Sequence, residues 1–353
     1  MTKRQFMYLG CVALMVTSGL GVAAPAGART TYDVVPGESI QLAVDRAQPG
    51  DIIDIAPGVY RESVIIRKSD LTLRGAGERT VLMPSTAKPT HVCGVGGNGI
   101  CVIGTDAKPA TDVRIHSLTV SQFKKNGIWA SRTNKLSIRQ VTAAGNGNWG
   151  IAQERSLRSE IRGNAARDNA ESGIFVSNTI DTEAGAVNTR RTVVMDNLLA
   201  GNRIGITVRR LRNLYVNNNV VTGNCAGMFI VGDEGVPRTG DLTVRGNRVH
   251  HNNKSCAKTA RLPRIQGAGI VLTGVEGATV ASNAVWSNVG TSPFSGGIVL
   301  FKSIVGAPNS GNVIKSNMLV ANSPADLANR DTGTGNTFSG NYCRLSEKAG
   351  KCA

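Results

Sequence analysis

The stretch NLLAGNRIGITVRRLRNLYVNNNVVTGN, residues 197–224, decides the fold. It holds one device twice: Asn, four residues, Asn, at Asn197/Asn202 and again at Asn219/Asn224. A Gly-apolar pair follows each, Gly205-Ile206 and Gly227-Met228, and opens a β-rich run. Working outward, the Asn pair recurs at Asn164/Asn169, Asn247/Asn252, Asn283/Asn288 and Asn317/Asn322. The Gly pair recurs at Gly127-Ile128, Gly150-Ile151, Gly173-Ile174, Gly269-Ile270 and Gly297-Ile298. Successive units span 22 or 23 residues, and 28 to 42 where one carries an insertion. Repetition of this kind outranks length as a guide to architecture.

Each unit contains two or three short runs rich in Ile and Val, such as Leu242 to Val244 and Gly269 to Thr273. None has a 3.6-residue period, and Gly and Asn interrupt every candidate helix. A leucine-rich repeat of this length would need its Leu ladder. The remaining solution is an all-β, right-handed parallel β-helix, a solenoid whose coils bury inward side chains only against their neighbours. The crossover preference of parallel strands sets the hand. Asn suits the corners because it tolerates left-handed backbone and bonds locally. Stacked coils then set Asn over Asn as a structural ladder. Open ends of such a coil need caps. Ser39 to Gln48 (SIQLAVDRAQ) predicts a short N-terminal capping helix, with Asp51–Ile55 and Ser63–Arg67 as the first strands.

The chain has 353 residues, 42 of them Gly, is 41% hydrophobic, and carries +16 from 40 Lys+Arg against 24 Asp+Glu. That apolar content excludes a disordered basic tail. Residues 1–28 read as a signal peptide: Lys3 and Arg4, a short apolar run, then Ala26-Gly27-Ala28. The run is too short and interrupted to span a membrane. Residues 29–353 are then one secreted, extracellular domain without a membrane segment, and loss of Lys3 and Arg4 lowers its charge from +16 to +14. Six cysteines remain, which in a secreted chain argues for three disulfides. Cys225 and Cys256 fall on the same corner of successive coils and form one pair. Cys93–Cys101 and Cys343–Cys352 close local loops, the second at the C-terminal end. No cysteines have zinc-ligand spacing, and none of the named nucleic-acid motifs is present. No protein metal site and no nucleic-acid partner is expected, and the chain is expected to be a monomer.

Aligning the units at Gly assigns faces, because strand side chains alternate. Ile128, Ile151, Ile174, Ile206, Met228, Ile270 and Ile298 point inward, as do Ala130, Gln153, Val176, Val208, Ile230, Leu272 and Leu300. Outward rows include Trp129, Phe175 and Phe229, then Glu154 and Arg209, then Arg132, Arg155, Asn178, Arg210 and Lys302. At about 4.8 Å per strand this face extends roughly 30 Å. Aromatic rings offer flat surface to sugar rings, and guanidinium groups grip carboxylates bidentately. The face reads as a groove for an acidic polysaccharide or wall polymer, with Trp129, Arg132, Phe175, Asn178, Phe229 and Asp233 as binding residues. Insertions at 180–190, 232–240 and 253–268 offer an alternative in which Phe175 and Phe229 are covered.

Pro36 to Val44, Pro49-Gly50-Asp51, Ala56 to Tyr60 and Leu71 to Gly75 resemble the opening of the pectin lyase-like superfamily. With the Asn-Gly coils, the chain is similar to secreted right-handed β-helix repeat proteins of Gram-positive bacteria. The resemblance implies a uronate lyase or epimerase, with Arg or Lys as base and calcium as a possible companion. Arg155, Arg209, Arg210 and Lys302 are the candidates, with Glu154 nearby. Lys302-Ser303 is similar to the Lys-Ser element of one alginate lyase family. The polygalacturonase signatures and the epimerase Asp-Pro-His are absent. The alternatives are a non-catalytic wall- or glycan-binding protein and a structural scaffold whose aromatic row is a partner interface.

Overall fold

The computed structural model describes residues 29–232, 235–348 and 350–353. The signal-peptide reading and Asp233 lie outside the described residues. Strands stack into three parallel sheets, one of twelve strands and two of ten. Each coil passes through the first, second and third sheet in turn, giving a right-handed parallel β-helix. The first sheet runs from Thr31–Val34 to Thr337–Ser339, the second from Gly58–Arg61 to Met318–Val320, and the third from Val64–Ile66 to Leu327–Arg330. Among the described residues no helix is long and apolar enough to cross a membrane.

The capping helix is Ile40–Arg46, and Ser39 Oγ accepts from Leu42 N at its start. Glu62 accepts the next free amides, Ile40 N at 2.7 Å and Gln41 N at 3.1 Å. Anions are favoured at a helix N-terminus, where amides lack intrahelical acceptors. The first strand is Thr31–Val34, ahead of the two expected, which are Ile52–Ile55 and Val64–Ile66.

The predicted inward rows are the core. Ile128, Ile151, Ile174, Ile206, Met228, Ile270 and Ile298 stack in register and are fully buried. Gln153 also faces inward, and its amide finds no hydrogen-bond partner among the described residues. Glycine precedes each stacked Ile because the backbones approach closely. A Cβ on Gly205 would lie 2.3 Å from Val221 Cγ1 and 2.6 Å from Gly227 O.

Two Asn ladders run up two corners. In the first, Nδ2 of Asn164, Asn197, Asn219, Asn247, Asn283 and Asn317 each donates to the next Oδ1 at 2.9 Å, ending on Asn341. The second runs from Asn146 through Asn169, Asn202, Asn224, Asn252, Asn288 and Asn322 to Asp326. The left-handed backbone belongs to the residue before each ladder Asn, such as Asp196 (φ 57°), Asn218 (φ 54°) and His251 (φ 51°), and not to the ladder Asn. The asparagine is selected as a relay, since its amide both donates and accepts. The second ladder stops at a carboxylate because Arg344 N and Leu345 N, both donors, lie beyond it.

All three expected disulfides form, Cys93–Cys101, Cys225–Cys256 and Cys343–Cys352. Cys225–Cys256 anchors the 253–267 insertion, which folds over the outer face of the third sheet. There Phe229, Val271, Val299, Ile265 and Phe294 form a second buried cluster outside the coil. Phe229 points outward, as alternation requires, yet is only 2% exposed, so it is not an open binding surface.

Candidate functional site

Loops from two corners border the outer face of the third sheet and divide it into two cavities. Residues 179–186, between Ser172–Ser177 and Val187–Met195, form a shared wall. Thr179 and Ala184 line the first cavity, and Ile180, Asp181 and Glu183 line the second. The single continuous groove expected from the sequence is therefore two chambers.

Arg210 builds the wall. It is 2% exposed and donates to Thr179 Oγ1 at 2.8 Å, Thr182 O at 2.6 Å and the Glu183 carboxylate. Asn178 Nδ2 donates to Gly185 O at 2.8 Å and closes the same loop. A buried guanidinium held by carbonyls cannot reach a substrate, so the geometry gives Arg210 a loop-holding task in place of the expected base. Asn178 combines that task with a place on the first cavity.

The first cavity, 550 Å³, gathers Arg132, Arg155, Arg158 and Arg190, with Asp106 as the one lining carboxylate among the described residues. Arg132 Nε donates to Asp106 at 2.9 Å, and Arg155 lies 3.6 Å from the same carboxylate. Glu154 stands behind, accepting from Ser131 Oγ at 2.9 Å, 4.0 Å from Arg132. Four guanidinium groups against one carboxylate make a cationic chamber, suited to carboxylate or phosphate.

The second cavity, 780 Å³, is aromatic and mixed in charge. Trp149 stacks face to face on Phe175, with centroids 4.2 Å apart and planes 8° apart. Phe229, Phe294 and Leu262 close its floor, and Arg209, Arg261, Glu171, Asp181 and Glu183 supply polar groups. Arg209 lies 3.9 Å from Glu183. Burial pushes the Glu171 carboxyl above its ordinary value, and nearby Arg203 opposes that rise. Trp129 is half-buried and lines neither cavity, and Lys302 is exposed and lines neither.

The structure therefore brings Arg132, Arg155 and Asn178 together, and separately Phe175, Phe229 and Arg209. Sequence reasoning missed Trp149, Arg158, Arg190, Asp106 and Glu171. Extending the repeat alignment one residue ahead of Gly150 finds Trp149; Glu171 lies in the corner between Asn169 and Gly173, Arg190 at an irregularity in the strand Val187–Met195, and Asp106 and Arg158 in corners and loops. Among the described residues no group of three or more His, Cys, Asp or Glu could hold a metal ion.

Residues 85–241 match the family model described as right handed beta helix region. Residues 179–349 match one described as periplasmic copper-binding protein (NosD). No curated protein sequence matches. Two A-modules of Azotobacter vinelandii mannuronan C-5 epimerases share the fold at 17% identity. The AlgE6 module superposes with TM-score 0.62 over 87% of this chain and 92% of its own. The AlgE4 module gives 0.57 over 88% and 95%. A double mutant of the periplasmic alginate epimerase AlgG gives 0.53 at 12% identity, covering 88% and 84%. Copper favours imidazole and thiolate ligands. In the span matched by the copper-binding model the cysteines are in disulfides, and the histidines are His250 and His251 alone. Among the described residues there is no closed copper cage in that span.

Proposed function

Because the chain is a right-handed parallel β-helix, we propose that it takes an acidic polysaccharide across the outer face of the third sheet and processes it as a uronate lyase or C5 epimerase. One observation carries the reading: four arginines converge on one cavity beside an aromatic one. Uronate carboxylates would sit among Arg132, Arg158 and Arg190, and a neighbouring sugar would lie on Trp149/Phe175. Neighbours named for mannuronan and alginate agree with a polyuronate. Three disulfides agree with export to an oxidising compartment.

Both reactions begin by removing the proton from C5 of a uronate whose carboxylate is neutralised. The bond electrons pass into the carboxylate. Breaking the C4–O bond, with the departing oxygen taking a proton from water to become a new chain-end hydroxyl, gives an unsaturated sugar; returning a proton from water to the opposite face of C5 gives the epimer. We assign C5 to Arg155, because its contact with Asp106 is looser than that of Arg132, 3.6 against 2.9 Å.

A second reading is binding without chemistry. Among the described residues neither cavity is lined by His, Tyr or Lys, the groups that serve most readily as proton acceptors. The protein should be incubated with pectate, alginate and hyaluronate, with and without calcium. Ultraviolet absorbance reads unsaturated uronate, and NMR reads the epimer. Product that Arg155→Gln abolishes supports the enzyme. Binding without product, weakened by Arg132→Gln, supports the binding protein. No binding of any of these polymers would overturn both.

A further inference from the structure

The two chambers differ in what they demand of a ligand, and the wall between them is thin. Thr179 lines the first, and the next residue, Ile180, lines the second. Consecutive Cα atoms are about 3.8 Å apart, so the wall there is one chain thick, and neighbouring sugars of a polymer can lie on either side of it. In the first chamber Arg132, Arg155, Arg158 and Arg190 all have left-handed backbone, with φ from 45° to 55°. Residues with long side chains rarely adopt it, and such strain persists where a site needs the group it carries. The second chamber has no cationic excess. Among its described residues Glu171, Asp181 and Glu183 accompany Arg209 and Arg261, and Arg203, 3.6 Å from Glu171, brings the balance to zero. Much of its remaining surface is apolar: the Trp149/Phe175 stack, and a lip of Ile304 and Val305, 61% and 48% exposed.

We propose that the two chambers read an alternating polymer, with a uronate in the first and an uncharged, N-acetylated hexosamine in the second. The inference rests on the acidic-polysaccharide reading above and names the second sugar. A homopolymer of uronate would bring a carboxylate into both chambers. In the first it meets four guanidinium groups. In the second it meets three carboxylates and no net positive charge, and like-charge contact is an effective way to reject a wrong ligand. The Trp149/Phe175 stack offers a flat apolar face to a sugar ring, and the Ile304–Val305 lip offers apolar surface to an acetamido methyl group. A wholly neutral chain would leave the arginines of the first chamber without an anion. Recognition divided in this way requires both kinds of sugar, in order.

The test is calorimetric titration of the full chain with hexasaccharides of equal length. Hyaluronan and unsulfated chondroitin alternate glucuronate with an N-acetylhexosamine, hexagalacturonate is uronate throughout, and the chitin hexasaccharide is neutral. An alternating hexasaccharide should bind about tenfold more tightly than hexagalacturonate, although it carries half as many carboxylates, and the chitin hexasaccharide should bind most weakly. Arg132→Gln should weaken the alternating and all-uronate ligands alike. Trp149→Ala should weaken the alternating ligand about tenfold and change hexagalacturonate by less than about twofold. Asp181→Asn, at an exposed position, should tighten hexagalacturonate at least about twofold and leave the alternating ligand unchanged. Equal or tighter binding of hexagalacturonate by the parent would overturn the alternation while the acidic-polysaccharide reading stands. Equal weakening of both ligands by Trp149→Ala would do the same. Should Trp149→Ala not fold, Asp181→Asn decides, and an unchanged hexagalacturonate affinity there would overturn the proposal. Binding of none of the acidic ligands would overturn the reading itself, and the proposal with it.

Discussion

Replacing Asn219 with Ala tests the relay view of the ladder. Asn219 is fully buried and makes four side-chain hydrogen bonds: from Asn197 N and Asn197 Nδ2 to its Oδ1, and from its Nδ2 to Val194 O and Asn247 Oδ1. Truncation leaves the Asn197 amide without its acceptor. Asn197 Nδ2 keeps Ile161 O, and Asn247 Oδ1 keeps Asn219 N, so those two groups lose only part of their bonding. A buried unmet donor costs about 1–3 kcal/mol, and the partly stripped groups and lost contacts roughly as much again. The expected loss is about 3–5 kcal/mol in urea-induced unfolding. Asn219→Asp should be nearly as damaging although it is isosteric, because a carboxylate accepts from Asn197 but faces two acceptors, Val194 O and Asn247 Oδ1, without a proton to give. Amide exchange at Asn197 should accelerate in both variants. A loss below about 1 kcal/mol in the Asp variant would refute the relay; the ladder would then be mere packing.

Gln153→Leu should stabilise the protein by about 1–2 kcal/mol in the same measurement, since it removes an unpartnered buried amide from an apolar row. Arg210→Gln should release the 179–186 wall, seen as new cleavage there in limited proteolysis, with a stability loss of about 2–4 kcal/mol. His116 is held below its ordinary value of 6.5, first by burial and then by the Arg74 charge. The unfolded chain therefore takes up that proton more readily, and stability should fall as pH drops below 6.5 toward the folded value. Denaturation at a series of pH values should show this slope flattened in His116→Gln.

The coil was legible because its physics repeats. Each rung needs a Gly where backbones touch and an Asn where amides relay, so both recur at fixed offsets and align the inward Ile row without a structure. The outer face was only half legible. Alternation gives the direction of Phe229 but not what lies above it, and its cover comes from Ile265 and Phe294 in segments that belong to no repeat. The arginine row was found as a row, yet Arg210 turns under the surface while Arg158 and Arg190, outside the alignment, enter the cavity. Corner residues obey local loop packing, which strand periodicity does not encode.

The first ladder joins partners whose separation along the chain is 22, 24, 28, 33, 34 or 36 residues, with 2.9 Å at every link. Rung spacing is thus independent of how much chain is spent between rungs. A loop can lengthen, shorten or be exchanged without its neighbours registering the change, provided it leaves and re-enters beside an asparagine. The molecule behaves as a rack with interchangeable fittings, in which a new specificity requires rewriting one loop and leaves the frame untouched.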